Sequence, residues 1–181
     1  MRSLPTGEIG GRERVLTLLK TYVDIIALRK GPDAVPASWI VLMFAVVLLA
    51  VSSYAAMALV EGVDGQNPVT TFTGYGLGIC FYAAVVYVSG YGGRMLQAVT
   101  AIIACGAIIT LLFVAGYVLV EPLLGKEFAG LVATLIIFWS VPVEGHIIAR
   151  TIQQHWFVGI TIAMAAFILQ LGFQSAFSGR V

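Results

Sequence analysis

A chain of 181 residues that is 60% hydrophobic and 10% charged, with a mean hydropathy of +0.98, has less than half the charged content of a soluble domain, usually about 25%. Those numbers exclude a water-soluble fold. Ten Lys and Arg against nine Asp and Glu leave a net charge of +1, so there is neither a basic field for nucleic acid nor an acidic field for cations.

The first residues, Met1 to Gly10, contain no apolar core leading to a small-residue cleavage site, so insertion is expected to use the first spanning helix rather than a cleaved signal. Residues 11 to 30 read as an amphipathic helix. Val15, Leu18, Leu19, Tyr22, Val23, Ile25 and Ile26 fall on one face, and Glu13, Thr17, Lys20, Thr21 and Asp24 on the other. That spacing has a period of 3.6, and the segment is too polar to cross a bilayer. Two placements follow: flat on the membrane with its cations toward head groups, or docked on a partner or on the end of its own bundle. Gly31 and Pro32 then stop the helix, and Pro36-Ala-Ser38 opens the next.

Five apolar runs come next, approximately Trp39 to Val60, Thr71 to Tyr91, Met95 to Val120, Phe128 to Ile148 and Trp156 to Phe173. Each is near the roughly 20 residues that cross about 30 Å of hydrocarbon. Backbone amides in lipid must be bonded internally, so runs of this length are helices. The expected fold is all-α: a cytoplasmic segment over 1–38 carrying an interfacial amphipathic helix, a five-helix membrane domain over 39–175, and a short tail over 176–181.

The connections sort by charge. Arg2, Arg12, Arg14, Lys20, Arg29, Lys30, Arg94 and Arg150 fall on the amino-terminal side, with only Lys126 and Arg180 opposite. The positive-inside rule therefore predicts a cytoplasmic N-terminus and an outer C-terminus in a bacterial inner membrane. Glu61, Asp64, Glu121 and Glu127 fall on the outer side. Small residues spaced by four, such as Gly74 and Gly78, Gly145 and Ala149, or Gly159 and Ala163, suit close helix packing. Cys80 and Cys105 sit near the middle of spans, where thiols act as small apolar residues.

Chemistry concentrates in Ser140-Val-Pro-Val-Glu-Gly-His-Ile-Ile-Ala-Arg150. A carboxylate at a helix centre in the bilayer costs roughly 2.5 to 3.5 kcal/mol, so Glu144 must be neutral, paired or near water. Pro142 removes a backbone bond and predicts a kink. His146, Arg150 and His155 are expected near the same face, making a polar cluster with Glu144. Two readings stand side by side: a proton-linked or solute-binding site, or a structural ion pair of Glu144 with Arg150 or a hydrogen bond to a neighbouring helix. Trp39, Tyr91 and Trp156 look like interfacial anchors, and Trp139 like core. The second run is rich in hydroxyls, among them Tyr75, Tyr82 and Tyr87, which suit a hydrated path or bonds to neighbouring helices. No metal, haem or other cofactor is expected: His155 lies in a connection rather than facing His146 from within a helix, and no phosphate loop, nucleophile elbow or zinc-protease motif is present.

The joint Leu28-Arg-Lys-Gly-Pro-Asp-Ala-Val-Pro-Ala-Ser38, between a cytoplasmic amphipathic helix and five spans, resembles the bacterial branch of the Yip1-domain family. Eukaryotic relatives contact small GTPases in vesicle traffic, but their acidic, tyrosine-containing N-terminal signature is absent here. The resemblance implies a non-enzymatic scaffold or accessory subunit, partnered by the bilayer and by another membrane protein or further copies of itself, and not by nucleic acid. The alternative is a small proton- or ion-linked transporter or channel built on Glu144.

Overall fold

A computed structural model of the chain describes residues 11–60 and 67–178, and these are helical with no strand among them. In order come α1 (Gly11–Ile26), a 3-10 turn (Pro32–Ala34), α2 (Trp39–Leu59), α3 (Pro68–Val88), a second turn (Gly92–Arg94), α4 (Met95–Leu124), α5 (Lys126–Thr151) and α6 (Trp156–Ser178). Helices α2 to α6 are each long and apolar enough to cross a membrane. The leading ten residues, the acidic part of the connection at 61–66 and the last three residues with Arg180 lie outside the described residues.

Helix ends differ from expectation for local reasons. α3 starts at Pro68, where the Asn67 side chain accepts from the Val69 amide at 2.9 Å and proline needs no bonded N–H. It stops at Val88 because Gly90 turns left-handed (φ +83°), with Tyr91 N bonded to Val86 O at 3.1 Å, a Schellman ending. α6 runs on to Ser178 and takes in the first residues of the expected tail. α1 ends at Ile26, not near Gly31. There Leu28 adopts φ +60° and Arg29 N reaches Asp24 O at 2.8 Å, the same ending with a non-glycine residue. Lys30 holds it, its ammonium 2.8 Å from the Asp24 carboxylate. Gly31 lies beside the Asp33 carboxylate and the Arg150 stem.

α4 is the central helix. Thr100 through Cys105 are buried on every side, because α2 and α5 flank it while α1 and α3 also touch it. α6 packs on α5, and α3 leans mainly on α6. The α5/α6 crossing is a backbone contact. A Cβ on Gly159 would lie 2.0 Å from the Gly145 carbonyl oxygen, and one on Gly145 would lie 2.9 Å from Ile160 Cα, which is how small residues bring membrane helices together without a hydrophobic drive.

α1 is docked on its own bundle, but on the flank and not at the end as expected. Tyr22 and Ile25 are buried and Leu18 is half-buried against the core. Cys105 of α4 lies against the Tyr22 carbonyl, and Trp139 of α5 donates from Nε1 to the Ile26 carbonyl at 3.2 Å. Cys105 is ten residues in from Met95 and Trp139 twelve from Thr151, so α1 crosses the bundle's flank roughly 15–18 Å from those ends. Val15, Leu16, Leu19 and Val23 stay exposed, splitting the apolar stripe between protein and surroundings. Trp139 is correspondingly not core: it is 47% exposed, because its indole reaches outward to bond the end of α1.

Candidate functional site

Glu144 lies seven residues from the end of α5 at Thr151, roughly 10 Å along the helix. α5 continues unbroken through Pro142, which keeps the side chains before and after the proline on one helical frame. On that frame Glu144 turns into the bundle, where the Tyr82 hydroxyl of α3 donates to its Oε2. Tyr82 is buried to 2% exposure, and no ion pair joins Glu144 to Arg150 among the described residues.

The carboxylate borders a cavity of about 330 Å³ between the five spanning helices. Its walls are mostly aliphatic or aromatic, with Ile79, Ile102, Ile103, Ile109, Phe113 and Phe167 among them, and among the described residues no Lys, Arg or His lines it. The polar groups facing it are Tyr75 and Tyr82 of α3, Thr110 of α4, Ser140 and Glu144 of α5, and Gln170 and Gln174 of α6. Thr110 bonds its own helix at Gly106 O, 2.9 Å. One glycine of α3 makes room for Gln170, and a second lies in ordinary contact distance of Gln174. A Cβ on Gly78 would fall 1.8 Å from Gln170 Nε2, and one on Gly74 would fall 3.6 Å from Gln174 Nε2. Gly78 thus admits the Gln170 carboxamide one turn along α3 from Tyr82, and Gln174 packs beside Gly74 a turn further.

The other residues singled out in the sequence stand elsewhere. His146 is buried on a different face of α5, its Nε2 3.1 Å from the Lys30 carbonyl oxygen, a hydrogen bond that needs the proton on that nitrogen. Arg150 is exposed, its stem beside Gly31. His155 is exposed, stacked on Phe157 and placed to accept from the Phe157 amide at 3.5 Å. A helix turns about 100° per residue, so Glu144 and His146 point roughly 200° apart. The structure brings Glu144 together with Tyr82 and the glutamines, and His146 and Arg150 together with the N-terminal joint.

Outside the spans, two ionisable groups among the described residues are shifted, both on α1. Burial pushes the Tyr22 phenol up to about 12, and its hydroxyl has no hydrogen-bond partner among the described residues. The Lys30 hydrogen bond holds the Asp24 carboxyl below its usual range, consistent with the pair that closes the end of α1.

Among the described residues no three His, Cys, Asp or Glu side chains gather as metal ligands. Comparison with protein-family models, with curated proteins and with solved structures finds no match to this chain.

Proposed function

We propose that this polytopic membrane protein is a small transporter or channel of the bacterial inner membrane in which Glu144 is the coupling carboxylate. The observation that carries the reading is the cavity, with the acid at one end of it and Tyr82 holding the acid in place. A scaffold of the kind implied by the Yip1 resemblance needs helices that pack. A hollow among them forfeits dispersion contacts, and a carboxyl inside it adds the cost of an ionisable group at bilayer depth. Such residues in spans usually mark a pathway for ions, protons or solutes. Intramembrane enzymes also place polar groups in hollows, but here both histidines face away from the cavity, leaving Glu144 without a second acid–base group other than tyrosine.

The test uses purified protein in proteoliposomes with a trapped pH dye and an imposed proton gradient. Wild type is expected to dissipate the gradient faster than empty vesicles. Glu144→Gln is expected to return the rate to that of empty vesicles, while Glu127→Gln, at the far end of α5, leaves it unchanged. Wild-type vesicles no leakier than empty ones, or equal rates for the two variants, would sink the proposal.

A further inference from the structure

We infer that the cavity takes a monovalent organic cation with an apolar body, its charged head at Glu144 and Tyr82 and the remainder along the aromatic and aliphatic wall. The inference rests on the reading of this cavity as a solute site and adds the class of solute.

Charge sets the sign. Among the described residues Glu144 is the one acidic side chain on the lining, and no basic side chain faces it. In low dielectric a carboxylate attracts a cation far more strongly than in water, whereas an anion placed here would be repelled by the carboxylate and would find no positive charge on the described lining. Four aromatic rings, of Tyr75, Tyr82, Phe113 and Phe167, border the same space, and their faces attract quaternary and protonated amines.

Coordination argues against a bare metal ion. Calcium asks for six to eight oxygen ligands and magnesium for a near-ideal octahedron. Here the carboxylate and the carboxamides of Gln170 and Gln174 are spread over about two turns of α3, roughly 12 Å from the level of Tyr82 to that of Gly74. Oxygens so dispersed do not close on one small ion. They suit a longer molecule, charged at one end and able to accept or donate hydrogen bonds further along. The Gln170 amide has no hydrogen-bond partner among the described residues although it is half-buried beside Gly78, which leaves it available to such a molecule. Apolar wall then covers the rest, as in most small-molecule sites.

The full chain in detergent is tested by equilibrium dialysis with radiolabelled benzyltrimethylammonium. Saturable binding is expected, displaced by the unlabelled cation but neither by neopentylbenzene, its uncharged isostere, nor by phenylacetate. Glu144→Gln should weaken it at least about tenfold. Gly106→Leu provides a second variant that leaves the carboxylate intact. Gly106 lines the cavity and a Cβ there meets nothing within 4 Å, so the added side chain fills the hollow and should also abolish binding. Displacement by neopentylbenzene as effective as by the cation, or unchanged affinity in Gly106→Leu, overturns the inference. Cation binding without proton flux in vesicles sinks the transport reading alone. Proton flux without cation binding sinks the assigned class alone.

Discussion

The Tyr82 hydroxyl is the protein's own answer to an acid at bilayer depth. Removing it with Tyr82→Phe keeps the ring and leaves Glu144, half-buried on the cavity wall, short of a partner, which costs about 1 kcal/mol. Replacing both members, with Tyr82→Phe and Glu144→Leu together, leaves an apolar pair of similar shape and should recover most of that loss. Reversible unfolding in mixed micelles measures both. A Tyr82→Phe cost below about 0.5 kcal/mol, or single-variant losses that simply add in the double variant, would mean that the hydroxyl does not anchor the acid. Glu144 itself was legible because a carboxylate in an apolar run of about 20 residues must be neutral, paired or near water, and the hydrogen bond to a neighbouring helix, one of the two structural alternatives, is the one present. Tyr82 was visible only as one hydroxyl in a hydroxyl-rich span, since its contact lies 62 residues away. Gln170 and Gln174 were missed. Their signal was present in the spacing: two amides four apart in an apolar run, matched by two glycines four apart in another. His146 was grouped with Glu144 because both lie near one face of the membrane, but two residues apart on a helix that turns about 100° per residue they point to nearly opposite sides.

At the scale of elements, the glycines divide by what a methyl would strike. Gly159→Ala drives a Cβ into the Gly145 backbone, and neither partner is a flexible side chain. Overpacking costs typically 1–3 kcal/mol, and the contact at 2.0 Å puts this variant at the upper end, about 3 kcal/mol. Gly172→Ala, whose Cβ meets nothing within 4 Å, should be neutral or gain up to about 1 kcal/mol from helix propensity. Melting of the two variants in one detergent checks the contrast, and equal melting temperatures would show that α5 and α6 do not cross at these glycines. The N-terminal joint is the second such element. His146 meets the Lys30 carbonyl, Gln97 donates to the Val35 carbonyl at 3.0 Å, and Val35 is itself buried. The segment that carries the Yip1 resemblance is therefore where α1 and α2 are fastened to α4 and α5. Periodicity announced α1, but not which half of its apolar stripe meets protein, because Leu18, Tyr22 and Ile25 differ from Val15, Leu19 and Val23 only in what lies opposite.

For the whole molecule the question is which end faces the cytoplasm. The turn before α4 and the turn before α6 lie at one end: with its amide oriented toward the guanidinium, Gln153 accepts from Arg94 at 3.0 and 3.2 Å, and the Arg94 guanidinium lies over the Tyr91 ring. The joint at Lys30 and Gly31 lies at the same end through His146 and Arg150. Arg29, Lys30, Arg94 and Arg150 thus share one face, while the α4/α5 turn at the other carries Glu121, Lys126 and Glu127. An excess of Lys and Arg in short connections stays in the cytoplasm, so we expect Glu144 to lie about 10 Å in from the cytoplasmic end and the glutamines deeper along the cavity. Single cysteines at Gly93 and Gln154, in a background lacking Cys80 and Cys105, should be labelled by an impermeant maleimide only after cells are opened. A cysteine at Gly125 should react in intact spheroplasts. The reverse pattern would invert the protein in the membrane, placing the acid near the outer face and requiring any proton that reaches it from the cytoplasm to pass the glutamines first.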